Sequence, residues 1–92
     1  MNITEIKIRR TYNEGRLRAL VSITINSDLA IHDLKIIEGP ERFFIAMPSR
    51  HEESGVFRDV VHPITAKARQ EMESRILAAY EQFIETQRIT TE

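Results

Sequence analysis

The chain has 92 residues, of which 41% are hydrophobic and 29% are charged, and its formal net charge is −1. A chain of this length forms one domain and buries only about 60% of its unfolded surface, so a partner subunit would add stability. The composition is that of a folded domain, and the lack of cysteine excludes disulfide bonds, thiolate metal sites and cysteine nucleophiles. We expect a single domain over residues 1–86, a flexible tail over 87–92 and a cytoplasmic location, because no apolar run has the pattern of a signal peptide or a membrane span.

The first two predicted elements are β-strands joined as a hairpin. Apolar and polar residues alternate between residues 16 and 26, which is typical of a half-buried strand. Ile6 and Ile8 alternate with charged neighbours in the same way, and Gly15 can adopt the positive φ of a turn between the two runs. If the apolar residues of both strands face one core, this hairpin places four cations on its exposed face: Lys7, Arg9, Arg16 and Arg18.

Two further extended segments are predicted over residues 29–38 and 42–47, closed by Gly39-Pro40 and by Pro48. The fourth strand is apolar on both faces. Either a helix and a second subunit cover these faces, or one of them is a binding surface. A short fifth strand over residues 55–61 is expected to return beside the fourth.

A long helix is predicted after Pro63, with Thr65 as its N-cap. Its apolar stripe, with spacings of four, three and four, packs against the sheet or against a dimer mate and consists of Met72, Ile76, Ala79 and Phe83. Lys67 and Arg69 lie in the first turn, where they oppose the helix dipole. They are either solvated charges or the cationic part of a phosphate site. The predicted fold class is α+β: a small antiparallel sheet of four to five strands followed by a long C-terminal helix, in a dimer.

Opposite charges are segregated along the chain. Residues 1–18 hold five cations against two carboxylates, a local charge of +3, and residues 42–69 hold five against three, or +2. Residues 19–41 and 70–92 each sum to −3. Because phosphate responds to the local field, a net charge of −1 does not exclude a nucleic-acid partner.

The histidines and carboxylates do not form a catalytic or metal-binding set. Neighbouring residues on a strand point to opposite sides, so His32 and Asp33 could not act together on one substrate. Asp59 and His62 are expected to hydrogen-bond to each other at the bend before the helix, and His51 lies in a solvated acidic loop. The histidines lack the i, i+4 spacing of helical metal ligands, and the three glycines form no phosphate loop. We expect no enzyme activity, no metal and no cofactor.

Five segments occur in the chain in the order IKIRR, EGRLRALVSITI, HDLKIIEG, FIAMPSR and GVFRDVVHPIT. Together they resemble the SpoVG family of bacterial septation and sporulation regulators, and the resemblance covers about residues 1–85. It implies a small homodimer that binds DNA and RNA, modulates gene expression and takes part in sporulation and in the negative control of asymmetric septation. It gives no support to catalysis.

The resemblance also implies nucleic-acid contacts at the start of the C-terminal helix, so Lys67 and Arg69 are the first candidates. Arg50 and Arg58 come second, because a loop tip and an adjacent strand can reach the same phosphate track. A third group, which could equally be a salt-bridged surface or a dimer seam, consists of Arg9, Arg10, Arg16 and Arg18. The rival hypothesis is a protein-interaction module, in which the fourth strand or the helix stripe receives a division or regulatory protein.

Overall fold

The computed structural model describes the backbone of residues 1–90 and the side chains of residues 1–87. The elements are β1 (Ile3–Thr11), β2 (Leu17–Ile25), β3 (Leu29–Glu38), β4 (Phe43–Ala46), β5 (Ser49–His51), β6 (Phe57–Asp59) and α1 (Ala66–Thr90). The α+β class predicted from the sequence is confirmed. The helix includes 87–90 of the segment predicted as a tail, and residues 91 and 92 lie outside the described residues. No helix in the described part of the chain is long and apolar enough to cross a membrane.

The main sheet is an antiparallel meander with the strand order β1-β2-β3-β4. The predicted β1–β2 hairpin is confirmed, and Gly15 in its turn has a φ of 81°. Four irregularities interrupt the pairing of β2 with its two neighbours, and two of them lie near its centre. One lies between Ile8 and Arg10 on β1, and the other falls where β3 faces Val21 and Ile23. Both are β-bulges, which twist a strand and re-aim its side chains.

The hydrophobic core lies between the helix and one face of this sheet. Its buried residues come from all four strands, from the segment after β4 and from α1: Ile3, Ala19, Val21, Ile23, Leu34, Ile36, Ile45, Met47, Met72, Ile76 and Tyr80. The ring of Phe43 meets Tyr80 edge-on, with centroids 6.0 Å apart. Polar contacts fix the helix to both edge strands, since Arg75 donates to the Ile3 carbonyl at 2.6 Å and the Ile45 N–H donates to Glu73 at 3.5 Å.

The helix begins as predicted. The Ala68 N–H donates to the Thr65 hydroxyl at 3.1 Å, which identifies Thr65 as the N-cap. Of the two apolar faces predicted for β4, the one with Phe43 and Ile45 packs against the core, whereas Phe44 and Ala46 lie half-buried on the opposite face. The helix therefore covers only one face of β4, and the face with Phe44 and Ala46 lies away from the helix.

The fifth strand does not return beside the fourth, so that prediction is wrong. Residues of the predicted segment form β6, which pairs with β5 as a separate two-stranded ribbon. Two features explain the difference. Pro48 has no N–H to continue a ladder, and the Glu73 carboxylate of the helix lies 3.5 Å from the Ile45 nitrogen at the open edge of β4. The chain instead folds back on itself, with the Val60 N–H donating to the Pro48 carbonyl at 2.8 Å.

Candidate functional site

The ribbon of β5 and β6 projects a pair of opposed arginines. Arg50 lies directly opposite Arg58 in the antiparallel register, so both side chains leave the same face of the ribbon. Like charges in this position repel each other. Arg58 is relieved in part by Glu52, whose carboxylate lies 2.7 Å from the guanidinium Nε, but the Arg58 side chain remains 73% exposed. The sequence predicted both arginines as contacts, and the structure brings them together.

The other face of the ribbon is aromatic. His51 lies opposite Phe57 in the ladder, and their rings are 4.7 Å apart between centroids. Phe57 is nevertheless 69% exposed, and Val56, Val60 and Ile64 in the same segment are also exposed, Ile64 to 87%. Such a concentration of exposed apolar side chains is typical of an interaction surface. The ribbon therefore has one face with two arginines and another with an aromatic pair, and the exposed aliphatic residues Val56, Val60 and Ile64 lie outside β6.

The first turn of α1 carries Lys67 and Arg69, both exposed, and contains no acidic residue. The Thr65 hydroxyl accepts from the Ala68 N–H in the same turn. Residues two apart on a helix do not face each other. The structure therefore places these two cations at one helix end but on different sides of it.

The four predicted arginines of the first hairpin divide into two groups. Arg9 donates from Nε to the Ser22 hydroxyl at 3.2 Å, and the Arg10 guanidinium lies 5.3 Å from the centroid of the Tyr12 ring. Closer to the turn of the hairpin, Arg16 donates to the Glu38 carbonyl at 3.1 Å, and Arg18 forms a salt bridge of 2.9 Å with the Glu38 carboxylate. This second group has the geometry of a salt-bridged surface. No sequence pattern indicates Glu38 as the partner, because the contact depends on how β2 pairs with β3.

The predicted apolar stripe of the helix divides along its length. Met72 and Ile76 are buried in the core, and Tyr80 continues the buried line at a spacing of four. Ala79 and Phe83 are only half-buried and border a shallow groove beside β1. Toward the C-terminal end of the helix, the predicted stripe therefore points partly away from the sheet.

Two expectations about histidines are corrected. His62 does not bond to Asp59 in the described residues; its Nδ1 lies 3.1 Å from the Pro63 carbonyl oxygen. His32 and Asp33 do not point to opposite sides. Both lie opposite Ser22 in the register between β2 and β3, at the bulge that holds Asp33 at a φ of 67°. No group of three or more histidines and carboxylates in the described part of the chain is placed to hold a metal ion.

Comparison with known proteins settles the family. The sequence model named SpoVG matches residues 1–82 of this chain. The chain belongs to the SpoVG family. This confirms the resemblance found in the sequence.

Three relatives that bear the name "Putative septation protein SpoVG" illustrate the similarity. The chain is 50% identical to the protein of Exiguobacterium sibiricum over 80 residues, which are 87% of this chain and 78% of that protein. It is 47% identical to the protein of Lachnospira eligens over 81 residues, 88% of this chain and 92% of that one. It is 42% identical to the protein of Clostridium botulinum strain Eklund 17B over 92 residues, the full length of both. The name associates the SpoVG family with septation and names no enzymatic activity.

Proposed function

We propose that this SpoVG protein is a non-enzymatic regulator of gene expression that binds DNA or RNA as a homodimer in the cytoplasm, where DNA binding would associate it with the nucleoid. The observation that carries this proposal is the opposed pair Arg50 and Arg58 on the projecting ribbon. Two cations held side by side repel each other unless an anion lies between them or nearby. A nucleic-acid backbone supplies such anions in series.

The shape of this region supports the same ligand. A two-stranded ribbon is one of the elements that the major groove of duplex DNA, about 12 Å wide, admits. The helix start with Lys67 and Arg69 follows β6 after a short connection, so one of these cations can extend a phosphate track that begins on the ribbon. Contacts of this kind fix the position of a protein on a strand but read little sequence. The proposed mechanism is therefore phosphate-dominated binding with limited base readout.

The exposed apolar side chains on the ribbon and beside it support the proposed homodimer. Phe57 and its exposed neighbours Val56, Val60 and Ile64 lie outside the core of their own chain. A second copy related by a two-fold axis would cover the same residues on both chains and would double the number of basic faces. Regulation of this kind would underlie the septation and sporulation roles that the family resemblance implies.

Binding of fluorescent DNA and RNA oligonucleotides, measured by anisotropy at two salt concentrations, tests the proposal. We expect binding to both that weakens steeply with salt, and a loss of affinity in the Arg50→Gln, Arg58→Gln double variant. The control is Arg42→Gln, which removes one exposed cation next to the start of β4. If the wild-type protein binds neither oligonucleotide at low salt, the nucleic-acid function is refuted.

A second candidate function is favoured by the exposed apolar segment itself. In this alternative, Phe57 and Ile64 receive a division or regulatory protein, and the basic residues serve solubility. Light scattering after gel filtration separates the two. A monomer that binds no nucleic acid supports the protein-interaction module, whereas a dimer that Val60→Asp converts to monomers supports the homodimer.

A further inference from the structure

Two β-bulges converge on one buried serine in the centre of the sheet. On one side of β2, Arg9 is the extra residue of β1 between the pairs Ile8–Val21 and Arg10–Leu20. On the other side, β3 inserts His32 and Asp33 between the residues paired with Val21 and Ile23, so that both lie opposite Ser22. Bulges re-aim side chains. Here they bring Arg9 and His32 from opposite neighbours of β2 to the same hydroxyl group.

A continuous hydrogen-bond chain results. The Arg9 Nε–H donates to the Ser22 Oγ at 3.2 Å, and this oxygen lies 2.8 Å from the His32 Nδ1. Ser22 is only 8% exposed, whereas Arg9 and His32, which contact it, are exposed side chains. Only the Nε–H of the Arg9 guanidinium donates to Ser22, so its two terminal nitrogens remain as donors.

These groups border a cavity of about 300 Å³ on the sheet face opposite the helix, and Asp33 also lines it. The charged residues around it come from β1 and β3. Lys7 lies opposite Ser22, Arg10 and Lys35 lie opposite Leu20, and Glu5 lies opposite Thr24. With Arg9 and Asp33, the set has four cations against two carboxylates. The cavity therefore combines converging N–H donors with a net positive surrounding, which suits an oxyanion.

We propose that this cavity binds a phosphoryl group, held by the terminal nitrogens of Arg9 with the Ser22–His32 pair at its base. The group belongs either to a nucleic-acid strand that crosses the sheet face or to a free phosphorylated molecule. Only the first of these sources rests on the proposed nucleic-acid function. Asp33 opposes the anion from the cavity wall and so weakens the site.

Amide and arginine Nε–H signals in ¹H–¹⁵N NMR spectra test the site, with inorganic phosphate as the probe. We expect saturable shifts at Arg9, Ser22 and His32. Arg9→Gln should weaken binding about tenfold or more, because it removes a charged donor. Asp33→Asn should strengthen binding by roughly fivefold, because it removes a like charge. Asn also tolerates the positive φ at this position, so this variant keeps the bulge.

The matched controls change the same charges elsewhere: Arg42→Gln for the cation and Asp28→Asn for the carboxylate, both exposed residues that do not line the cavity. Phosphate affinity should stay unchanged in both. The site is refuted if phosphate produces no localised, saturable shifts, or if Arg9→Gln and Arg42→Gln have equal effects. If Arg9→Gln fails to fold, Asp33→Asn alone tests the site, because it is expected to raise the phosphate affinity. An unchanged or reduced affinity in that variant overturns the proposal.

Two further titrations identify the source of the phosphoryl group. If a single-stranded oligonucleotide shifts the signals of Ser22 and His32, the site binds nucleic acid. If only adenosine monophosphate shifts them, the site binds free phosphorylated ligands. Failure of both probes overturns the inference. The Arg50→Gln, Arg58→Gln variant keeps this cavity intact, so loss of oligonucleotide binding there with retained phosphate shifts at Ser22 separates the two proposals.

Discussion

The salt dependence of nucleic-acid binding should differ between the ribbon and the helix start, and the geometry gives the size of the difference. Each phosphate contact contributes about 0.9 to the slope of log affinity against log salt on duplex DNA, and about 0.7 on a single strand. Arg50 and Arg58 leave the same face of the ribbon, so both can reach one backbone. Replacing both by glutamine should lower the slope by about 1.8 on a duplex and about 1.4 on a single strand.

The helix start should behave differently. Lys67 and Arg69 are two residues apart on α1 and face different sides, so only one of them can reach a given strand. The Lys67→Gln, Arg69→Gln variant should therefore lower this slope by only about half as much, near 0.9 on a duplex. The two double variants remove the same formal charge, so each serves as the control for the other.

Anisotropy titrations over a series of salt concentrations measure both slopes with the same labelled duplex. Circular dichroism shows whether each variant keeps the wild-type fold. An equal loss of slope in the two variants would show that charge alone matters and that the opposed geometry of the ribbon has no special role. No loss of slope in the ribbon variant would refute the proposed contact surface.

Three further predictions concern single side chains. Glu52→Gln should strengthen nucleic-acid binding about two- to threefold, because it frees Arg58 from an exposed ion pair; Glu53→Gln, which removes the same charge without that pair, should have a smaller effect in the same titration. Ile76→Ala should lower the free energy of unfolding by ~3 kcal/mol because Ile76 is fully buried, whereas half-buried Phe83→Ala should cost ~2 kcal/mol or less, and equal losses in urea denaturation would contradict the assignment of the core. Thr65→Ala should cost ~1 kcal/mol in the same experiment through loss of the N-cap, and Thr65→Ser should restore it.

The regular parts of the fold were predictable because their periodicity is strong. Strict alternation in β2 identifies Ala19, Val21 and Ile23 as inward residues, and all three are buried. The N-cap at Thr65 was predictable because it depends on neighbours in sequence. Predictions failed where the structure depends on a contact between residues that are far apart in sequence. The fifth strand joined a separate ribbon, and a helix carboxylate lies at the edge of β4 where that strand was expected; no local pattern reveals this contact.

The candidate sites show the same division. Residue type and resemblance were enough to select Arg50 and Arg58, but their direct opposition depends on the register of the ribbon. The sequence shows His32 only as a candidate for catalysis or metal binding, and alternation predicts that Asp33 points away from it. A bulge changes the period by one residue, and its position depends on the pairing of two strands. The Arg9–Ser22–His32 chain therefore appears only in the folded structure.

The two faces of the ribbon also explain how assembly and binding could support each other. Because antiparallel pairs alternate between faces, the Arg50–Arg58 pair and the His51–Phe57 pair point in opposite directions. A second copy that covers the His51–Phe57 face would leave the arginines exposed. In such a dimer, the first basic face to bind raises the effective concentration of the second, provided that the ligand spans both. The affinity of one face alone would be modest and strongly salt-dependent, and dimerisation would supply the additional affinity without any new contact.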